Sequence, residues 1–403
     1  MRSTRASLSG GTLVAAGMMG MNIAVYGFNI VAARILDTRD LGALTALFGI
    51  LLVGTVAAFG LQATTARRIA TSPQEVDQII GASLRLTMAV AAGVGLAVAA
   101  SSIGLTPALK LSSYWPVVLA GAALVPLTIM GTLSGIAQGQ SRWGTLTAIY
   151  LGNGVGRLVG GTVAMLIDPS PTSAMVGIAI GSWLPIVAGA PLMIGHWTMA
   201  ARGTGRHLLR EVTMSTHALL AYFVLSNMDA LIARNRLGEH DSGLYASGLI
   251  LAKAALFLPQ FVSVVLFPDL ARSTDDRARL RAVSIVAGMG ALAVAATVAL
   301  PDVAQILTGG SKYAEVSDRL WLFAVSGSSL AIVHLLVFDA LARRAHGIVV
   351  MIWVAVAAVL AITYGVGVGL TGLVVTMATV SAALAVVVYA APVLGRDTAD
   401  RLG

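Results

Sequence analysis

Two charged side chains lie deep inside apolar segments of the sequence, where a charge is costly to bury. Lys253 is about 10 residues into a long apolar segment, which is about 15 Å from its end at the rise of an α-helix. Asp229 lies in the preceding apolar segment, and both are equally far in sequence from the turn near Asp241. A similar depth is therefore expected, with the two forming either an ion pair in one hairpin or an anion-binding lysine tuned by a carboxylate.

Further polar residues in apolar segments could contact a substrate. Arg157 is another buried cation, which either binds substrate or pairs with a carbonyl at a helix end. Asn22, Tyr26 and Asn29 are spaced four and three residues apart, so they share one helical face and could line a hydrated path. For these uncharged residues the alternative is a hydrogen bond between helices. Two uncharged donors in the second half of the chain, Asn227 and Gln260, are also predicted to bind substrate.

The elements that must position these side chains are membrane helices. The chain is 57% hydrophobic and 11% charged, with a mean hydropathy of +0.87. About 20 apolar residues cross the hydrocarbon of a bilayer. Twelve such segments fill the sequence, near residues 11–33, 41–61, 84–106, 115–138, 144–167, 174–197, 214–236, 243–268, 282–307, 320–342, 347–369 and 371–394. These features predict an all-α polytopic membrane protein with twelve spans.

The distribution of lysine and arginine predicts the orientation. With the N-terminus inside the cell, most basic residues fall in the cytoplasmic segments, and an even number of spans puts both termini there. The location predicted is the plasma or inner membrane. The net charge of +8 is then mainly a topology signal that also favours contact with anionic lipids. Because the basic residues are dispersed over several loops, no nucleic-acid partner is expected.

A short passage occurs in both halves of the chain, at residues 33–42 and again about 200 residues later at 234–243. It links the first two of six apolar segments in each half. Three identities align at this offset: Leu36 with Leu237, Asp40 with Asp241, and Gly42 with Gly243. The repeat predicts two six-helix lobes related by a pseudo-twofold axis, at residues 1–200 and 214–403, joined by a basic cytoplasmic linker at 201–213.

Enzyme classes find little support. Cysteine is absent, and there is neither a Walker sequence for ATP nor a His-Glu-x-x-His zinc motif. Residues 367–372 match Gly-x-Gly-x-x-Gly by letters, but they fall in a turn between two spans and lack the strand that a nucleotide fingerprint needs. The glycines at 152, 154, 156 and 160 are typical of a small-xxx-small helix-packing face. No catalytic residue, metal site or cofactor is predicted.

The first span ends with residues 26–36 (YGFNIVAARIL), followed by residues 40–44 (DLGAL). This opening resembles that of polysaccharide-biosynthesis flippases in the multidrug/oligosaccharidyl-lipid/polysaccharide (MOP) exporter superfamily. Residues 226–234 (SNMDALIAR) and 243–246 (GLYA) are similar to the seventh and eighth helices of that family. The resemblance implies a MOP/MATE-like fold with two lobes around a central cavity, and it places Lys253 on a cavity-lining helix.

The function implied by this resemblance is a flippase that moves a polyprenyl-diphosphate-linked glycan from the inner to the outer leaflet by alternating access. Membrane lipids and glycan-assembly enzymes are the other partners expected, with a monomer as the transporting unit. The alternatives are a multidrug or cation antiporter of the same superfamily, a major-facilitator-type porter and a membrane scaffold without transport activity. The major-facilitator alternative lacks its Gly-x-x-x-Asp-Arg loop, since residues 62–68 read QATTARR.

Overall fold

The computed structural model describes residues 2–195, 217, 219–257, 276–342 and 347–390, which form helices and no strand. The helices before residue 195 are α1 (Arg2–Ile35), α2 (Thr38–Gly54), α3 (Val56–Thr71), α4 (Val76–Ala100), α5 (Ser102–Ala108), α6 (Trp115–Gly139), α7 (Trp143–Ile167), α8 (Pro171–Gly181) and α9 (Leu184–Gly189). Those that follow are α10 (219–225), α11 (Met228–Arg236), α12 (Glu239–Phe257), α13 (Asp276–Ala299), α14 (Pro301–Leu307), α15 (Leu320–Ala342), α16 (Gly347–Ile362) and α17 (Leu370–Ala390).

Each of the twelve predicted spans overlaps helix among the described residues, although parts of the sixth, seventh, eighth and twelfth lie outside them. Several are single helices, such as α6 and α15, whereas others, such as the seventh span, consist of two shorter helices in sequence. Nine helical segments among the described residues are long and apolar enough to cross a membrane. A helix suits this environment because its backbone hydrogen bonds are internal. The chain is a multi-pass membrane protein.

The helices group into two structural units. The first comprises Met1–Leu36 and Ala46–His217, and the second comprises Asp37–Thr45 and Ala218–Gly403. The segment Asp37–Thr45, which includes the first turns of α2, therefore packs with the second unit. The domain limits at residues 200 and 214 stay a prediction, because the predicted linker lies outside the described residues.

Close glycine contacts hold α7 against α8 in the first unit. A Cβ on Gly156 or Gly160 would contact the backbone carbonyl of Gly181 or Gly177, respectively. The two helices thus meet backbone to backbone through matched glycines four residues apart, as the small-xxx-small interpretation predicted. This contact fixes the helix that carries Arg157.

The second unit positions α12 through its packing on α15. The Tyr245 ring lies 5.1 Å from the Phe323 ring in an edge-to-face arrangement. A Cβ on Gly327 would contact the backbone carbonyl of Ala252, so the two helices approach closely. These contacts orient Tyr245 and Lys253 on α12. The Gly-x-Gly-x-x-Gly letters at residues 367–372 run from the end of a π-helical turn (Thr363–Gly367) into the first turn of α17, and Gly367 has a φ of +71°.

Candidate functional site

The seventh predicted span is interrupted at Ser226 and Asn227. Helix α10 ends at residue 225 and α11 begins at Met228, while Asn227 has φ −134° and ψ −8°. The Asn227 side chain stabilises the interruption, since its Nδ2 donates to the Phe223 carbonyl at 2.8 Å. Such a break frees backbone carbonyls and amides that a continuous helix would satisfy. In a membrane these groups need another partner.

Lys253 supplies that partner at the carboxyl end of α10. Its Nζ donates to the Ser226 carbonyl at 2.5 Å and to Asn227 Oδ1 at 2.8 Å. The lysine is half-buried, whereas Ser226 and Asn227 are almost completely buried. A cation at a helix C-terminus also interacts favourably with the helix dipole. Two of the three ammonium N–H bonds are thus used by the broken helix.

Asp229 serves the other side of the same interruption, in the first turn of α11. Its Oδ1 accepts from the Ala230 amide at 2.9 Å, and its Oδ2 accepts from the Tyr245 hydroxyl at 3.2 Å. A carboxylate is favourable at a helix N-terminus. Asp229 and Lys253 are close enough to interact electrostatically, but their hydrogen bonds are with these groups and not with each other. The two charges therefore stabilise the two sides of one helix break, Lys253 the end of α10 and Asp229 the start of α11.

In the first unit, α1 and α7 run side by side in the same direction. Gly154 faces Met21 and Ala24, and Gly161 faces Phe28. Arg157 lies between these two glycines at helical spacing, hence on the face of α7 that meets α1. Its side chain is half-buried.

The Arg157 guanidinium rests on aromatic rings. Its Cζ lies 3.9 Å from the centroid of Phe48 and 5.4 Å from that of Phe28. The two phenylalanine rings contact each other edge to face at 5.7 Å. Within the described part of the chain, Arg157 has neither a carboxylate partner nor the helix-end carbonyl that the sequence suggested as an alternative.

The three polar residues predicted to share a face of α1 are all half-buried. The Tyr26 hydroxyl and Asn29 Oδ1 are buried atoms without a hydrogen-bond partner among the described residues. The structure therefore places Asn22, Tyr26 and Asn29 on the helix that contacts Arg157. Lys253, Asp229 and Asn227 form a separate cluster in the second unit. The remaining candidate, Gln260, lies outside the described residues.

Sequence reasoning did not identify Phe48 or Tyr245, which are ordinary residues for a membrane helix. The break at Ser226-Asn227 is only weakly indicated by the sequence, through two residue types that favour turns. Sequence reasoning also missed Arg234, at the end of the seventh predicted span, whose side chain is only 1% exposed. It donates to the Arg39 carbonyl at 3.2 Å and to Ser242 Oγ at 3.3 Å.

Arg234 lies where the two copies of the repeated passage meet within the second unit. A Cβ on Gly42 would contact Ser242, and one on Gly243 would contact the Thr38 backbone. The two aligned glycines thus allow the two copies to pack closely. Arg39 Nε is 3.1 Å from Glu239 Oε1, which adds an ion pair at the rim of this contact.

Comparison with known proteins defines the fold. No protein-family model and no curated protein matches the sequence. Solved structures do match. An inward-facing multidrug resistance MATE family transporter of the MOP superfamily has a TM-score of 0.75 at 12% identity, covering 94% of this chain and 96% of the other. A eukaryotic MATE transporter has a TM-score of 0.62 at 13% identity, with 96% and 95% coverage.

A third structure is a MOP superfamily transporter from Pyrococcus furiosus, in which a reversed polarity of the binding pocket suggests a different function. Its TM-score is 0.69 at 12% identity, with 94% coverage of both chains. The fold predicted from the sequence, twelve membrane helices in two lobes of the MOP/MATE type, is confirmed by these likenesses. At such low identity they show the fold and leave the substrate open.

Proposed function

We propose that this chain is a membrane transporter that moves a lipid-linked anionic glycan precursor, of the polyprenyl-diphosphate class, to the outer leaflet by alternating access. The fold supports a transporter, because the solved structures that share it are MATE and MOP transporters. The observation that carries the anionic substrate is Lys253. It is a half-buried ammonium at a helix break, and the broken helix uses only two of its three N–H bonds.

The geometry suggests how the headgroup would be held. A diphosphate leaving water loses hydration worth several kcal/mol per ion, which a nearby cation offsets. The third Lys253 N–H could donate to a phosphoryl oxygen while the other two keep the ammonium in place. Release would follow from motion of the helices on either side of the break, and the polyprenyl chain would remain in lipid. No covalent step is required.

The multidrug or cation antiporter remains the second candidate. The similarity to a multidrug MATE transporter favours it, and so does Asp229, a buried carboxylate in the middle of a predicted span. The Asp229 oxygens already accept hydrogen bonds from Ala230 and Tyr245, which makes them less available to a cationic drug. The MATE-type fold argues against the major-facilitator alternative.

Transport by the purified protein in liposomes would distinguish these candidates. One assay follows flipping of a fluorescent polyprenyl-diphosphate-linked sugar, and a second follows uptake of a cationic dye. We expect flipping that is abolished by Lys253→Ala and partly retained by Lys253→Arg. Lys312→Ala is the matched control, because this exposed lysine lies in a 3-10 helical segment (Ser311–Arg319) outside the cluster. Dye transport without flipping would favour the antiporter.

The paired substitution Asp229→Asn with Lys253→Ala tests the binding role directly. If Lys253 only balances the charge of Asp229, removal of both charges should restore folding and flipping. Full flipping by this double variant would contradict substrate binding by Lys253. Contacts with glycan-assembly enzymes and a monomeric transporting unit remain predictions.

A further inference from the structure

Arg157 is a cation within the fifth predicted span, on α7, and its N–H groups find no hydrogen-bond acceptor in the described part of the chain. Its Nε is buried and has no acceptor among the described residues. Its terminal nitrogens also lack an acceptor there but are more accessible, since the side chain is half-buried. A guanidinium carries five N–H donors, and leaving them unsatisfied in a membrane is costly. This arrangement calls for an acceptor that the described residues do not provide.

The aromatic rings define the direction from which that acceptor can come. Phe48 covers a face of the guanidinium at 3.9 Å, and Phe28 lies near the same group. Cation–π contacts occupy the face of a guanidinium and leave the N–H bonds in its plane free. The rings also hold the group in one orientation and exclude water from its covered face. The free donors therefore lie along the edge of the guanidinium.

Other unsatisfied polar atoms lie on the same two helices. They are the Tyr26 hydroxyl, Asn29 Oδ1 and Thr162 Oγ1, all buried and without a partner among the described residues. The contacts of Gly154 with Ala24 and of Gly161 with Phe28 put Tyr26 at nearly the depth of Arg157. Tyr26 therefore shares a depth with the cation, although no hydrogen bond joins them, and no carboxylate of the described residues neutralises Arg157.

We propose that Arg157, backed by Phe48, is an oxyanion subsite for a phosphoryl or carboxylate group of the transported molecule. Both groups match the guanidinium edge, which can donate two parallel hydrogen bonds to them. This subsite rests on the proposed function and extends it, because it adds a cation in the first unit to Lys253 in the second. The oxyanion comes either from the lipid diphosphate or from an acidic sugar of the glycan.

Binding to the purified full-length protein in nanodiscs tests the subsite with three probes: farnesyl diphosphate, inorganic pyrophosphate and glucuronate. We expect saturable binding of at least one probe that weakens about 10-fold or more in Arg157→Met and less in Arg157→Lys. Binding of the first two probes alone identifies the phosphoryl source, and binding of glucuronate alone identifies the acidic sugar. Arg142→Met is the control, since Arg142 is exposed at the start of the same helix.

The variants separate this inference from the proposed function. Arg157→Met should fold, because it removes an unsatisfied buried charge. If binding persists in Arg157→Met but is lost in Lys253→Met, the subsite is wrong and the proposed function stands. If flipping occurs with no probe binding that depends on Arg157, the subsite is equally wrong. Loss of binding and flipping in Arg157→Met, with unchanged thermal stability, supports it.

Discussion

Lys253 in the second unit and Arg157 in the first both lie deep within predicted spans, and the two cations are satisfied in opposite ways. In the second unit, the Lys253 ammonium donates to a carbonyl and to an amide oxygen at a helix break. In the first unit, the Arg157 guanidinium rests on the rings of Phe48 and Phe28 and donates to no described residue. Lys253 thus has a structural role at the helix break, and the same ammonium could also bind substrate. Arg157 contributes little that an apolar side chain could not provide.

This difference separates structural from functional charge in a membrane protein. A lysine that neutralises freed backbone groups should be costly to remove even if it never contacts substrate. An arginine with unused donors should be dispensable for folding and needed only when an anion is present. Stability measurements on matched substitutions can therefore test the comparison independently of transport.

The largest expected effect is the contrast between Lys253→Met and Arg157→Met. Lys253→Met leaves the Ser226 carbonyl and Asn227 Oδ1 without a donor, so we expect a loss of about 3 kcal/mol in the free energy of unfolding. Arg157→Met should be neutral or stabilising. Reversible unfolding in mixed micelles measures both. Equal losses in the two variants would remove the distinction between the cations.

The second prediction concerns the helix contact that holds α7 and its arginine. Gly177→Ala places a methyl group against the Gly160 carbonyl, and we expect a destabilisation of about 2 kcal/mol. Gly144→Ala, on α7 but without neighbours around its Cβ, is the control and should be neutral. The same unfolding assay applies. Tolerance of Gly177→Ala would show that α7 is positioned by other contacts.

The third prediction compares two asparagines. Asn227→Ala removes an acceptor of Lys253 and the donor to Phe223, so we expect a loss of about 1 kcal/mol. Asn29→Ala should not destabilise the protein, because Asn29 Oδ1 has no described partner. Thermal unfolding followed by circular dichroism can rank the two. A larger loss for Asn29→Ala would indicate that the stripe on α1 is structural.

The smallest effect is expected for Phe48→Leu, which removes the ring under Arg157. A double-mutant cycle with Arg157→Met should give a coupling free energy of about 0.5–1 kcal/mol. Phe59→Leu, at an exposed ring in the same unit, serves as the control. A coupling of zero would mean that the ring does not hold the guanidinium.

The sequence by itself determined the twelve spans and the burial of Lys253, Asp229 and Arg157. Span length depends only on local hydropathy and bilayer thickness, so α6, α7 and α15 could be predicted almost to the residue. The glycine contact between α7 and α8 could be predicted in part. Helical spacing puts Gly156 and Gly160 on one face of α7, but it does not identify their partners on α8.

Only the tertiary structure decided how those charges are satisfied. The break after α10 is stabilised by Lys253 from another helix, and the guanidinium of Arg157 meets Phe48 from a distant part of the chain. Neither contact can be derived from local hydropathy, because each depends on which helices pack together and at what rotation. The sequence predicted that both cations lie within membrane spans. The packing of helices made Lys253 a cap on a broken helix and left Arg157 without a hydrogen-bond acceptor among the described residues.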